Sequence, residues 1–335
     1  MAAASAGPAA ASPSGTVTIA PLRGAPTPAL VARVAAGQVG GLLLLGNSWT
    51  SAGVTAAAVD RLQQVACRRG SPLVVTIDQE GGSVRRLPWA PPTLSAAAMR
   101  TEAEVRRQAV DAAAALRQAH VWVDLAPVAD TISTPRSFLG TRSFGSDSTL
   151  VGSLAAAFVS ALQGGGVAAT AKHFPGLGSA VTSTDDRAVT IGRGAAFLTA
   201  RLAPFQAAIA AGAKLVMVSN ASYPALDPSG VQAVFSHAIV TDLLRDRLGF
   251  DGVVVTDALD AKSVSAVPHA PARALAAGVD LMLYSRTPAS EEGYASLVRD
   301  AAASATVRAE LATAVQRVDA LKAWLAAHGG PACKS

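Results

Sequence analysis

The sequence predicts an α/β fold, a single-domain (β/α)8 barrel of the TIM type, on three observations. The chain has 335 residues, within the usual span of one such barrel. Seven short apolar runs and an eighth, weaker one are each generally followed by a stretch with helical periodicity. The runs are apolar throughout rather than alternating, as strands covered on both faces require. An open doubly wound sheet is the rival, but no GxGxxG or Walker loop follows any run.

The elements follow in order. Thr16–Ala20 is the weak strand, and a short helix starts near Thr27-Pro28, where Thr caps and Pro takes the first helical position. Val39–Leu45 is a buried strand; Val54–Arg69 is a helix with Val54, Ala58, Leu62 and Val65 on one face. Leu73–Ile77 is a strand that runs into Asp78-Gln79-Glu80-Gly81-Gly82. Glu102–Ala119 is a helix with Thr101 and Glu104 at capping-box spacing. Trp122–Ala126 is a strand ending towards Asp130, and Leu150–Gln163 is a helix stopped by Gly164-Gly165-Gly166. The strand from Val167 delivers Lys172 and His173 into a Pro175-Gly176 break. A helix over Ala196–Ala211, a strand over Leu215–Ser219, a helix over Ile239–Leu248 and a strand over Val253–Thr256 come next. Val279–Tyr284 is the last strand. Helices over Ser290–Ala303 and Arg308–Ala327 close the chain, the latter with a stripe of Leu311, Val315, Val318, Leu321 and Leu325. Residues 1–15 are Ala/Ser/Pro/Gly-rich and read as a flexible tether, 16–328 as the barrel domain and 329–335 as a tail.

Composition narrows the function. Half the residues are hydrophobic, which argues against disorder, and no apolar run is long enough to cross a bilayer. The net charge is +5, but the basic residues are scattered, without a stripe interleaved with aromatics, so nucleic acid is not expected as a partner. Cys67 and Cys333 form no CxxC motif and the five histidines are dispersed, so no metal site is expected. The two cysteines fall at helix ends on the barrel face opposite a carboxyl-end site; they form either a disulfide or two free thiols. The tether and a cysteine pairing point towards an exported, wall-associated protein, while the lack of an intact signal peptide leaves a cytoplasmic location open. A monomer is expected.

Polar residues gather where strands end: Asp78, Asp130, Lys172, His173, Asn220 and Asp257, with Arg142 and Asp185 in loops just beyond. Barrel closure brings strand ends to one face. Carboxylates accept from vicinal hydroxyls, and Lys, Arg and His donate to them, so the set suits a polyhydroxylated ligand. It also supplies two carboxyl groups for glycosidic cleavage.

On these residues the chain resembles glycoside hydrolase family 3, in its single-domain β-N-acetylglucosaminidase branch. The matching stretches are IDQEGGSVRR (Ile77–Arg86), DLAPVAD (Asp124–Asp130), GTRSFGSD (Gly140–Asp147), AKHFPGLG (Ala171–Gly178), LAPFQAAI (Leu202–Ile209) and FDGVVVTDAL (Phe250–Leu259), in the family's order. The resemblance implies that Asp257 is the nucleophile of a retaining exo-glycosidase. It implies that Asp78, Arg86, Arg142, Lys172 and His173 hold the sugar, that N-acetylglucosamine-containing wall fragments are substrates, and that no cofactor is used. The chain departs from the family in the loop that carries an Asp-His acid/base dyad. Leu177 replaces a His, Ser183 stands at the dyad Asp, and Asp185 stands at the dyad His. Asp185 is expected to be the general acid/base, with Asp186 as its substitute, and hydrolysis is expected over phosphorolysis because an anionic Asp185 repels phosphate. A family 3 β-glucosidase-type enzyme, or a barrel that binds sugar without cleaving it, are the alternatives.

Overall fold

In the computed structural model, which describes residues 12–333, every apolar run read from the sequence is a strand of one parallel sheet. The chain runs α1 (Pro13–Thr16), β1 (Thr18–Leu22), α2 (Pro28–Ala35), β2 (Gly41–Leu44), α3 (Ala52–Cys67), β3 (Val74–Ile77), β4 (Gln79–Gly81) and β5 (Val84–Arg85). It continues through α4 (Glu102–Gln118), β6 (Val123–Asp124), α5 (Ser148–Gly164), β7 (Ala168–Phe174), α6 (Ala195–Ala200), α7 (Ala203–Ala210) and β8 (Leu215–Val218). A π-type helix over Ala238–Arg247, β9 (Val253–Thr256), α8 (Ala270–Ala277), β10 (Met282–Leu283), α9 (Thr287–Ala303) and α10 (Ala305–Ala327) complete it.

The sheet order is β10-β1-β2-β3-β6-β7-β8-β9, all parallel. A parallel bridge between Val255 and Leu281 brings the two edges together, so the eight strands close into a barrel. The expected (β/α)8 barrel is therefore the observed fold. Strand side chains are buried throughout, and the helices cover the outer face with apolar stripes such as Leu311, Val318, Leu321 and Leu325 of α10.

Local chemistry explains where elements begin. Thr27 caps α2 by accepting from Leu30 N–H, Thr101 caps α4 by accepting from Glu104 N–H, and Asp147 caps α5. Three details differ from the sequence reading. The helix expected over Ala196–Ala211 is two helices, α6 and α7, because Pro204 lacks the N–H an uninterrupted helix needs and instead occupies the first turn of α7. Helix α8 was not expected, since its Pro271 looks like loop punctuation; it sits in the first turn, where no N–H is required. The small hairpin β4–β5 turns through Gly81 and Gly82 at φ +98° and +55°, and a Cβ on Gly81 would lie 2.2 Å from the Leu94 carbonyl oxygen. Of the tether read over residues 1–15, residues 1–11 lie outside the described part, and Ser12 already caps the turn of α1.

The tail is fastened. Cys67 at the end of α3 and Cys333 form a disulfide with Cα atoms 5.0 Å apart, which resolves the two options left open by the sequence. Among the described residues no helix is long and apolar enough to cross a membrane.

Candidate active site

The carboxyl ends of β3, β6, β7, β8 and β9 converge because neighbouring parallel strands in a closed barrel all point one way. Asp78 leaves β3, and Lys172 and His173 end β7 across a cis peptide bond. Lys172 is buried, with its Nζ 2.7 Å from Asp78 Oδ1 and 2.6 Å from Glu80 Oε1. Arg142, from the loop after β6, grips Glu80 with two parallel hydrogen bonds, Nε to Oε2 and Nη2 to Oε1, both 2.8 Å. This fork-to-fork geometry fixes the guanidinium plane.

These contacts decide charge states. Burial alone would raise the Glu80 carboxyl, but the Lys172 and Arg142 charges outweigh it and hold the group down at about 2. Burial works against the charged forms of Lys172 and Arg142 too, and their carboxylate partners more than offset it. Asp124, at the end of β6, is fully buried with one oxygen accepting from Gln79 N–H and the other unpaired; burial pushes its carboxyl up to about 8.

His173 is oriented by Asp130. Its Nδ1 lies 2.7 Å from Asp130 Oδ2, which also accepts the His173 backbone N–H at 3.1 Å, while Oδ1 accepts from Leu177 N–H. A carboxylate only accepts, so Nδ1 carries the proton. Asp130 thereby fixes both the imidazole and the start of the loop that bears Asp185.

Two cavities meet here. The smaller, about 160 Å3, is walled by Arg142, His173 and Leu177, the larger, about 590 Å3, by Met217, Lys262 and Arg286. Asp78, Arg86, Asp185 and Asp257 line both. Arg86 brings a buried Nε without a hydrogen-bond partner to this junction. Asp257 follows β9 and is held by its own N–H to the Val218 carbonyl, 3.1 Å. Asn220, at the end of β8, donates to the Ala258 carbonyl at 2.8 Å, so this strand-end residue supports the Asp257 backbone. Asp185 is exposed as a residue, yet withdrawal of its carboxyl from solvent, then the Asp257 charge, raise it above its ordinary value, opposed by the Ser183 hydroxyl and His173. Asp186 is exposed and lines neither cavity.

The barrel thus brings together all seven expected site residues, Asp78, Arg86, Arg142, Lys172, His173, Asp185 and Asp257. Sequence reasoning did not single out Glu80 or Asp124, and it named Asp130 only among the strand-end polar residues, without a role. The signal for Glu80 was its place two residues after Asp78 in a Gly-turn; that for Asp124 and Asp130 was the pair of carboxylates bounding DLAPVAD. A larger hollow of about 980 Å3 lies beside the disulfide on the opposite face, where among the described residues the His120–Asp60 pair, 2.6 Å apart, offers titratable groups in contact. Among the described residues no group of His, Cys, Asp and Glu is arranged to hold a metal ion.

Buried ion pairs that hold donors and acceptors beside two carboxyls are an arrangement that can bind sugar hydroxyls and carry out glycosidic cleavage. Residues 17–321 match the glycosyl hydrolase family 3 N terminal domain. The chain belongs to glycoside hydrolase family 3. This family 3 enzyme is 31% identical over 293 residues to a β-hexosaminidase of Nitrosomonas eutropha, covering 81% of each chain. It superposes on a β-N-acetylhexosaminidase of Beutenbergia cavernae with a TM-score of 0.85 at 32% identity, covering 95% of this chain and 97% of that one. A family 3 β-N-acetylglucosaminidase of a Paenibacillus strain gives a TM-score of 0.89 at 30% identity; the family 3 enzyme covers 64% of that longer chain, with 96% of its own length aligned. It is a glycoside hydrolase, and its substrate is a carbohydrate.

Proposed function

We propose that this enzyme is a retaining exo-β-N-acetylglucosaminidase that removes terminal β-linked N-acetylglucosamine from peptidoglycan fragments or related glycans. The observation that carries the reading is the junction of the two cavities, which Asp185 and Asp257 both line. The names of its relatives support the N-acetyl preference.

The sugar lies in the smaller cavity. Asp78 accepts from its hydroxyls, Arg86, Arg142 and Lys172 donate to them, and His173, whose Nδ1 proton is given to Asp130, offers Nε2 as an acceptor. The Asp257 carboxylate attacks the anomeric carbon as Asp185 gives its proton to the departing glycosidic oxygen, leaving a covalent glycosyl–Asp257 ester. Asp185, now a carboxylate, takes a proton from water, which attacks the same carbon and frees Asp257 with net retention. The raised Asp185 carboxyl suits the first step, and its later negative charge disfavours phosphate as acceptor, so the product is the free sugar.

The test is release of 4-nitrophenol from the β-N-acetylglucosaminide and the β-glucoside by wild type and Asp257→Asn. Preference for the N-acetyl substrate, with activity about 10³-fold or more lower in Asp257→Asn, is the expected result. Preference for the glucoside replaces the reading with a β-glucosidase, and no turnover of either replaces it with a sugar-binding barrel.

A further inference from the structure

The leaving-group side of the site carries a cation that the sugar side does not use. The loop after β9 is stitched to the Asp185 loop: Lys262 N–H donates to the Asp185 carbonyl and Ser263 N–H to the Thr184 carbonyl, both 3.2 Å. A general acid must sit beside the oxygen it protonates, so residues fastened to Asp185 flank the departing group. Lys262 lines the larger cavity and not the smaller one, and its ammonium has no hydrogen bond or ion pair among the described residues.

The carboxylates around this cavity are already committed. Asp78 is paired with Lys172, and Asp185 and Asp257 serve the reaction. Asp260 is buried and filled by Ser285 N–H at 2.8 Å, the Ser285 hydroxyl at 2.9 Å and Arg286 Nε at 2.9 Å. Arg286 gives Nη2 to the Asp260 carbonyl at 3.0 Å; its Nη1 makes no hydrogen bond among the described residues, and its side chain is 62% exposed at the cavity rim. An unneutralised ammonium and a half-engaged guanidinium in a partly enclosed cavity favour an anion there, since low-dielectric walls focus their field.

We propose that Lys262 and Arg286 form an aglycone subsite for a carboxylate, so that the enzyme prefers glycosides whose leaving group carries a negative charge. The subsite rests on the proposed glycosidase reading, in which Asp185 is the acid. Lys262 is the determinant to alter, because removing Arg286 would strand the buried Asp260.

The experiment measures kcat/KM for a neutral aryl β-N-acetylglucosaminide and for its carboxylated aryl counterpart, in wild type, Lys262→Gln and Lys262→Arg. Differences in intrinsic leaving-group reactivity cancel when the anionic-to-neutral ratio is compared between variants. We expect the ratio to fall roughly three- to tenfold in Lys262→Gln and to be retained in Lys262→Arg. In wild type it should also fall as salt rises from roughly 0.05 to 0.5 M. An equal ratio in wild type and Lys262→Gln overturns the subsite while leaving the glycosidase reading intact; cleavage of neither substrate overturns both. Were Lys262 to serve free phosphate instead, wild type but not Lys262→Gln would release glycosyl phosphate in phosphate buffer, with equal aglycone ratios; that too overturns the proposal.

Discussion

The ammonium of Lys172 lies 2.6 Å from the Glu80 carboxylate, and side-chain exposure is only 2% and 3% for the two. Removing one partner of such a pair leaves a charge in the barrel with less compensation than its burial demands. Glu80→Gln therefore loses about 3 kcal/mol of stability in urea unfolding. Loss of the two-point grip on Arg142 lowers kcat/KM by about 10²-fold. The pH dependence follows from the depressed carboxyl. Folded Glu80 titrates at about 2, below its unfolded value of about 4.3, so its contribution is complete above that unfolded value and disappears as pH falls towards 2. Glu80→Gln lacks this component of acid sensitivity.

Asp124 has the opposite sign. Its carboxyl is pushed up to about 8 by burial, so between its unfolded value near 3.9 and about 8 the folded state holds a proton that the unfolded state has released. Stability falls with rising pH across that window. Asp124→Asn keeps an oxygen for Gln79 N–H and removes the titration. The variant should be more stable than wild type, and thermal melts at pH 5 and pH 8 should give the larger difference at pH 8.

Asp185 should govern the alkaline limb of kcat/KM, because in the proposed mechanism glycosylation uses its proton, and the raised carboxyl keeps that proton to higher pH than an ordinary aspartate. In Asp185→Ala the alkaline limb disappears. Aryl glycosides with good leaving groups still load Asp257, release of the sugar becomes slow, and azide restores turnover by capturing the glycosyl–enzyme as glycosyl azide. A pH profile unchanged from wild type excludes Asp185 as the acid/base.

The Cys67–Cys333 bridge closes 266 residues, and Cys67 lies at the end of α3, on the barrel face away from Asp257. Cys67→Ser/Cys333→Ser should unfold with about 2–4 kcal/mol less stability in urea. Its kcat/KM at 25 °C should match wild type, because the bridge at the end of α3 lies on the face opposite the strand ends that carry the site.

The barrel strands were legible because a buried parallel strand is apolar at nearly every position, a pattern seen in Leu42–Leu44, Leu215–Val218 and Val253–Val255. Helix caps were legible where a side chain acts on its own next turn, as at Thr27 and Thr101. Elements set by proline were harder. Pro204 and Pro271 each sit in the first turn of a helix, and local sequence does not distinguish a proline that begins a helix from one that marks a loop or lies within a longer apolar-periodic stretch.

The sequence by itself determined the parallel barrel, the face on which chemistry gathers, and the family, because strand burial and strand-end residues are local properties repeated along the chain. Only the tertiary structure decided what those residues do to one another. Glu80 binds Lys172 and Arg142 from 92 and 62 positions away, Asp130 orients His173 from 43, and Lys262 is tied to Asp185 from the next loop but one. The physical reason is that a charge state in a buried site depends on which groups closure of the barrel brings within hydrogen-bonding reach, and adjacency across strands is not encoded in spacing along the chain.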